Sequence, residues 1–237
     1  MSKSIAIMQP TYLPWLGYLA MIEKVDQFVF LDNVQFEHRS WQQRNRIKAE
    51  SGAMWLTISV KQKGVSDQKI EEVLCADLQK DYKKHLKSII HHYAKSKYYK
   101  KFYEALEHVI EAAAIEANGY LAHFNISIIK FLCGYAGIEK EFVLSSSLNL
   151  TGSKDELLAK ICEKLDGRLY VSAPGSKGYL EGSQAFKDRA INIAYHEYLH
   201  PQYPQLFGHF VEGMSCVDAF FNVEQANLKT LIMSGCK

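Results

Sequence analysis

Residues 5–32, IAIMQPTYLPWLGYLAMIEKVDQFVFLD, decide the fold. Ile5 to Met8 is a short apolar run of β character, stopped by Gln9 and Pro10. Pro14 suits the first turn of a helix, where no N–H is needed, and Leu16, Leu19, Ala20 and Ile22 then recur at helical spacing to about Val25. Gln27 to Leu31 is a second apolar strand, ended by Asp32 and Asn33. Strand, helix and strand in so short a span make a βαβ unit with parallel strands, and ligands then belong beyond the strand carboxyl ends.

Outward from this unit, Met54 to Val60 (MWLTISV) reads as a third strand after a turn at Ser51 and Gly52, followed by the polar loop KQKGVSDQK. Apolar residues at helical spacing then predict three helices between about 77 and 135, with breaks near Ser96 and at Asn118 and Gly119. Strands are expected at Phe142–Ser145, Arg168–Ser172 and Ile191–Tyr195, with a capping box of Ser153 and Glu156 opening a helix that Gly167 ends. A last helix is expected from about Asn222 to Met233. The expectation is one α/β domain over 1–237 with a helical insertion at 77–135.

The 237 residues are 48% hydrophobic and 23% charged, which excludes a disordered chain. A net charge of +2 gives no footing for non-specific binding to nucleic acid. No apolar run approaches the roughly 18 residues that span a bilayer, and MSKSIAIMQP lacks a signal-peptide core, so a cytoplasmic protein with no integral membrane segment is expected. The five cysteines are scattered, which predicts free thiols, no zinc knuckle and no catalytic cysteine.

Three segments carry candidate chemistry. Gln9, Thr11, Tyr12, Trp15, Gly17 and Tyr18 lie near a helix amino terminus, where backbone donors can hold an anion and rings can stack a base or sugar; equally, Trp15 and Tyr18 are core residues. After the second strand, Arg39, Arg44, Arg46 and Lys48 crowd ten residues with Trp41 and Asn45 among them. Guanidinium forks suit phosphate or carboxylate, the plain alternative being a solvated basic face. Asp32, at the strand end, suits a catalytic carboxylate or a transient magnesium ligand, or a turn cap. Gly175, Ser176 and Lys177 of SAPGSKGYL give a third anion-binding candidate, without a complete phosphate-loop motif. His196 and His200 would suit a metal only on a continuous helix, which Pro201 and Pro204 oppose, so no resident metal is expected.

The strings IAIMQPTYLPWLGYLAMI, FVFLDNVQFEHRSWQQRNRIK, GSKDELLAKI, YVSAPGSKGYL and YPQLFGHFVEGMSCVDAFFN closely resemble the WbqC-like family. That resemblance implies a role in bacterial O-antigen, lipopolysaccharide or other surface-polysaccharide synthesis, with transfer of glycine suggested for one member. A more distant likeness, at the first loop, is to nucleotidylyltransferase-type Rossmann-like folds, three-layer parallel sheets whose HxGH loop holds nucleotide phosphates. Trp15, Leu16, Gly17 and Tyr18 stand in those four positions, so only the glycine is kept.

The reading that follows is a transferase attaching glycine or another small acyl or aminoacyl group to an amino sugar on a nucleotide-linked or lipid-linked precursor, with ATP and magnesium activating the carboxylate as one route. In it Arg39, Arg44, Arg46 and Lys177 hold phosphates, Trp15 and Trp41 stack a ring, Asp32 binds magnesium or takes the amine proton, and Gln9 and Tyr12 orient the substrate. The alternatives are a sugar nucleotidylyltransferase and a non-catalytic sugar-nucleotide-binding partner of the polysaccharide machinery.

Overall fold

A computed structural model describes residues 2–61 and 67–237 of the chain. Residues 62–66 of the expected polar loop lie outside the described residues. In chain order the elements are β1 (Ser4–Met8), α1 (Leu16–Lys24), β2 (Gln27–Phe30), β3 (Arg44–Ala49), β4 (Gly52–Thr57), α2 (Leu78–Tyr93), α3 (Tyr99–Glu116), α4 (Leu121–Tyr135) and β5 (Phe142–Leu144). There follow α5 (Lys154–Lys164), β6 (Leu169–Ser172), α6 (Lys177–Leu180), α7 (Gln184–Asp188), β7 (Asn192–Tyr195), α8 (Cys216–Asn222) and α9 (Gln225–Ser234).

Five strands form one parallel sheet in the order β5-β2-β1-β6-β7. The period of two sends alternate side chains to opposite faces. Ala6, Phe28 and Phe30 enter a core with α1, the three helices α2 to α4, α8 and α9, whereas Ile5, Ile7 and Val29 enter a second core with α5, Leu180 and Phe186. Helices therefore cover both faces, which is why β1 and β2 read as unbroken apolar runs. Seven of the nine α1 residues are buried, since this helix is wedged between the sheet and α9.

The order reverses between β1 and β6. The chain leaves β1 for α1 on one face and leaves β6 for α6 on the other, so a crevice opens beyond the carboxyl ends of these two strands.

Four differences from expectation stand out. The strand at Met54–Val60 is observed as β4, Gly52–Thr57, and it joins no parallel sheet: it pairs antiparallel with β3 as a separate hairpin whose turn is eased by Gly52 at φ +110°. The basic residues Arg44, Arg46 and Lys48 therefore lie on a strand, β3, that was not expected. Ser153 sits at the amino cap of α5, but its hydroxyl makes no capping bond, so the capping box does not form. The last helix is observed as α9, Gln225–Ser234, and it is preceded, across Val223 and Glu224, by α8, which was not expected.

Candidate functional site

The loop after β1 is held from three sides. Asn45 on β3 donates its side-chain amide to the carbonyls of Tyr12 (3.2 Å) and Leu13 (2.7 Å), and the Tyr12 N–H donates to the Trp41 carbonyl. Asn125 on α4 donates to the carbonyls of Pro10 and Gln42. These bonds pin Leu13 at φ +43°, a conformation that a leucine adopts only under constraint. Tyr12 itself turns inward. Its hydroxyl shares a 2.9 Å hydrogen bond with His85 Nδ1, burial pushes the phenol far up, and burial pulls the His85 imidazole down to about 4.

Two adjoining chambers occupy the crevice at the sheet's reversal point. One, of about 330 Å³, is bounded by Trp15, Tyr18, Trp41, Arg46 and Gly213. The other, of about 310 Å³, is bounded by Gln9, Glu37, Gln42, Ser172, Ser176 and Tyr179. Met8, Thr11 and Trp41 line both, so the Trp41 indole stands at their junction. All three candidate segments thus reach the second chamber, contributing Gln9, Trp41 and Ser176 among others.

The hairpin supplies the cations of this region. Arg44 and Arg46 lie two apart on β3 and so share a face, while Trp55 of β4 stands opposite Arg46 in register. The Arg44 guanidinium lies 4.3 Å from the Trp55 ring centre, and that of Arg46 lies 5.7 Å from Trp41 and 5.6 Å from Trp55. Arg46 also donates to the Gly213 carbonyl at 3.4 Å, but its Nε is buried without a partner among the described residues.

A family model described as the WbqC-like protein family matches residues 9–230. The chain belongs to the WbqC-like family. An uncharacterized protein of Mycobacterium tuberculosis, Rv1507c, is 32% identical over 222 residues, covering 93% of this chain and 94% of that protein. No solved structure matches the chain.

In this WbqC-like chain the remaining candidates fall into three groups. Gln9, Thr11, Trp15, Tyr18, Trp41, Asn45, Arg46 and Ser176 line the chambers. Gly17 lies beneath them: a β-carbon there would collide with the Trp15 ring, so the glycine lets the indole lie across the start of α1. Trp15 is fixed further by a T-shaped contact with Tyr198 and a stacked one with His200. Arg39, Gly175 and Lys177 are exposed and line neither chamber; Lys177 stands 6.0 Å from the Tyr195 ring. Asp32 lines neither chamber. It is buried and faces the end of β5, where its oxygens accept bonds from Ser145 Oγ (2.9 Å), the Ser146 N–H (2.9 Å) and Ser146 Oγ (2.7 Å).

The WbqC-like segment around the histidines has no helix, and burial lowers the pKa of both His196 and His200. Among the described residues no three His, Cys, Asp or Glu side chains gather to hold a metal, and no helix is long and apolar enough to cross a membrane. All five cysteines are free, and burial pushes Cys75, Cys133 and Cys162 up to about 12, which leaves little thiolate at neutral pH.

Several residues in or beside the walls were not read from the sequence. Glu37 and Gln42 lay unremarked inside a stretch read for its arginines, and Trp55 inside a strand read for its apolar pattern. The pairing of Arg46 with Trp55 becomes visible only once RNRIKA is recognised as a strand, for then the charges at 44 and 46 occupy one face.

Also unread was the cluster that anchors the segment carrying Gly213. Asp218 of α8 is fully buried and accepts from Tyr93 Oη (2.7 Å), Tyr203 Oη (2.8 Å) and Gln205 Nε2 (2.8 Å). Gln205 in turn exchanges bonds with the Val211 backbone, and the buried Lys48 ammonium donates to the His209 carbonyl. Lys48 therefore belongs to no solvated basic face.

Proposed function

We propose that this protein is a cytoplasmic transferase of surface-polysaccharide precursor synthesis, attaching glycine or another small acyl group to an amino sugar carried on a nucleotide or lipid phosphate. The observation that carries the reading is Arg46: a guanidinium with an unpartnered buried Nε, at the wall of an aromatic chamber, at the reversal point of a parallel sheet. An aromatic wall beside a planar cation suits a ligand with a ring and a phosphate. Family membership supports the polysaccharide context.

In the transfer the amine nitrogen attacks the acyl carbonyl. A C–N bond forms, the C–S or C–O bond to the donor's leaving group breaks, and the amine proton passes to a base. A free carboxylate at neutral pH is a poor electrophile, so the acyl group needs prior or in-place activation. The five-strand order fits a nucleotidylyltransferase-like, Rossmann-like sheet, on which in-place adenylation with ATP and magnesium is one route. Trp15 favours the other. Its indole lies across Gly17 at the start of α1, where a triphosphate would have to sit, so an acyl donor arriving as a thioester or aminoacyl ester fits this chain better.

Isothermal calorimetry tests the reading. UDP and UDP-sugars should bind, and Arg46→Ala should weaken that binding by about 1.5–3 kcal/mol, the range for a charge-assisted hydrogen bond. Failure of wild type to bind any nucleotide sugar, or full affinity in the variant, would overturn it. Amino-acid-dependent pyrophosphate exchange into ATP would move the activation step back onto this protein.

A further inference from the structure

The second chamber differs from the first in chemistry. Among the described residues the Arg46 chamber has no acidic side chain in its wall, whereas the second has one carboxylate, Glu37, and no Lys, Arg or His. Beside Glu37 its wall offers uncharged polar groups, some of them unpartnered oxygens. Gln42, 1% exposed, donates its Nε2 to Gln9 Oε1 at 2.8 Å, yet its own Oε1 is buried without a partner among the described residues. Thr11 Oγ1 is buried and, among the described residues, unpartnered as well. Ser176 Oγ donates to the Ala173 carbonyl at 2.7 Å, and Ser172 Oγ, 2.6 Å from Ser176 Oγ and 3.3 Å from Tyr170 Oη, finds its acceptor within the protein. Both serine protons are therefore spent inside the protein, and lone pairs remain.

Buried acceptors that find no partner call for donors from a ligand, because such atoms are otherwise rare in folded proteins. Hydroxyl groups supply donors, and an ammonium supplies donors together with the charge that Glu37 opposes. A volume of about 310 Å³ is at the small end of ligand cavities. Its junction with the cationic chamber at Thr11 and Trp41 gives one ligand a path from phosphate to ring.

We infer that the chamber lined by Glu37 and Gln42 is the acceptor-sugar subsite, in which Glu37 selects a free primary amine over its N-acylated form while Gln42 and Thr11 accept hydrogen bonds from sugar hydroxyls. The assignment rests on the sugar-nucleotide reading above and adds to it the state of the nitrogen. It also fits the chemistry of that reading, because only a free amine can be acylated, and a carboxylate beside it is placed to hold and later receive its proton.

The test compares UDP-glucosamine, UDP-N-acetylglucosamine and UDP by calorimetry with the full-length protein. Wild type should bind the free amine about ten- to a hundredfold more tightly than the N-acetyl form, the worth of one charge-assisted hydrogen bond. Raising the pH through the sugar amine's own titration should abolish that preference. Glu37 is exposed, so Glu37→Gln should fold as wild type; it should bring the two sugars to within about twofold, with UDP itself unchanged because Arg46 sets that affinity. Equal binding of the two sugars by wild type, or a preference surviving in Glu37→Gln, overturns the subsite while leaving the sugar-nucleotide reading intact. Binding of neither UDP nor either sugar overturns both.

Discussion

Replacing Asp218 by alanine is the sharpest perturbation the structure offers, because one carboxylate anchors three elements. It accepts hydrogen bonds from α2 through Tyr93 and from the 203–211 segment through Tyr203 and Gln205, all at 2.7–2.8 Å. Hydrogen bonds to a charged group contribute about 1.5–3 kcal/mol each, which would give a gross loss of about 4.5–9 kcal/mol. Against that stands the cost of burying the charge. Burial raises the Asp218 pKa, with Tyr93, Tyr203, Gln205 and Lys48 acting in the opposite direction without cancelling it. Removing one member of a buried polar pair typically costs about 3–5 kcal/mol net, and that is the loss expected here. For a chain of this size it corresponds to a fall of roughly 6–20 °C in Tm.

The pH dependence carries a sign that a packing defect would not. A folded pKa above the unfolded value of about 3.9 means that folding favours the protonated form. The group's contribution is then fully present below the unfolded pKa and is lost as pH rises through the raised folded one. The deficit of Asp218→Ala, measured by urea unfolding, should therefore be larger at about pH 5 than at about pH 8. A deficit under about 1 kcal/mol would refute the anchoring argument. A deficit that shrinks on acidification would refute the balance of burial over hydrogen bonding.

Two further substitutions test the walls of the site. Asp32→Ala strands the Ser146 N–H and hydroxyl, while Ser145 Oγ keeps Asn33 Oδ1 as acceptor, and should cost about 2–4 kcal/mol in urea unfolding, with UDP-sugar affinity unchanged well below the melting transition; lost affinity at full stability would make Asp32 a ligand contact. Gly17→Ala forces the Trp15 ring aside and should cost about 1–3 kcal/mol together with a shift in tryptophan emission, so unchanged stability and spectrum would refute the packing of indole on glycine.

The elements legible in the sequence are those whose side chains serve one purpose. β1 and β2 are buried on both faces, so their apolar runs could hardly be read as anything else. The breaks at Ser96 and at Asn118 and Gly119 separate α2, α3 and α4 as expected. β3 escaped because its two faces have different duties: Arg44 and Arg46 are half-buried and Lys48 buried on one, Asn45, Ile47 and Ala49 are buried on the other, and polar residues facing inward break the alternation. The seven-residue α8 escaped for a similar reason, since the buried Asp218 falls in its first turn, where an acidic residue reads as exposed. At the site, the loop after β1 was legible from its aromatics and prolines. The inward turn of Tyr12 and the engagement of Asp32 with β5 were not, because each depends on partners more than 70 residues away in sequence.

That separation between contact and chain distance bears on how the site works. Arg46 is tied at its N–H to Asn45 Oδ1, at its carbonyl to the Ser215 N–H, and at its guanidinium to the Gly213 carbonyl. Asn45 holds the loop after β1, and Ser215 caps α8 through its side chain. Three distant segments thus brace one another around a single arginine using bonds internal to the protein. A guanidinium so braced loses little conformational freedom when it meets an anion, which conserves binding energy that a flexible surface arginine would forfeit. By the same argument, a lysine at this position would keep the charge but lose both the fork and the Gly213 tether. Arg46→Lys should therefore resemble Arg46→Ala in nucleotide-sugar affinity far more than it resembles the wild type.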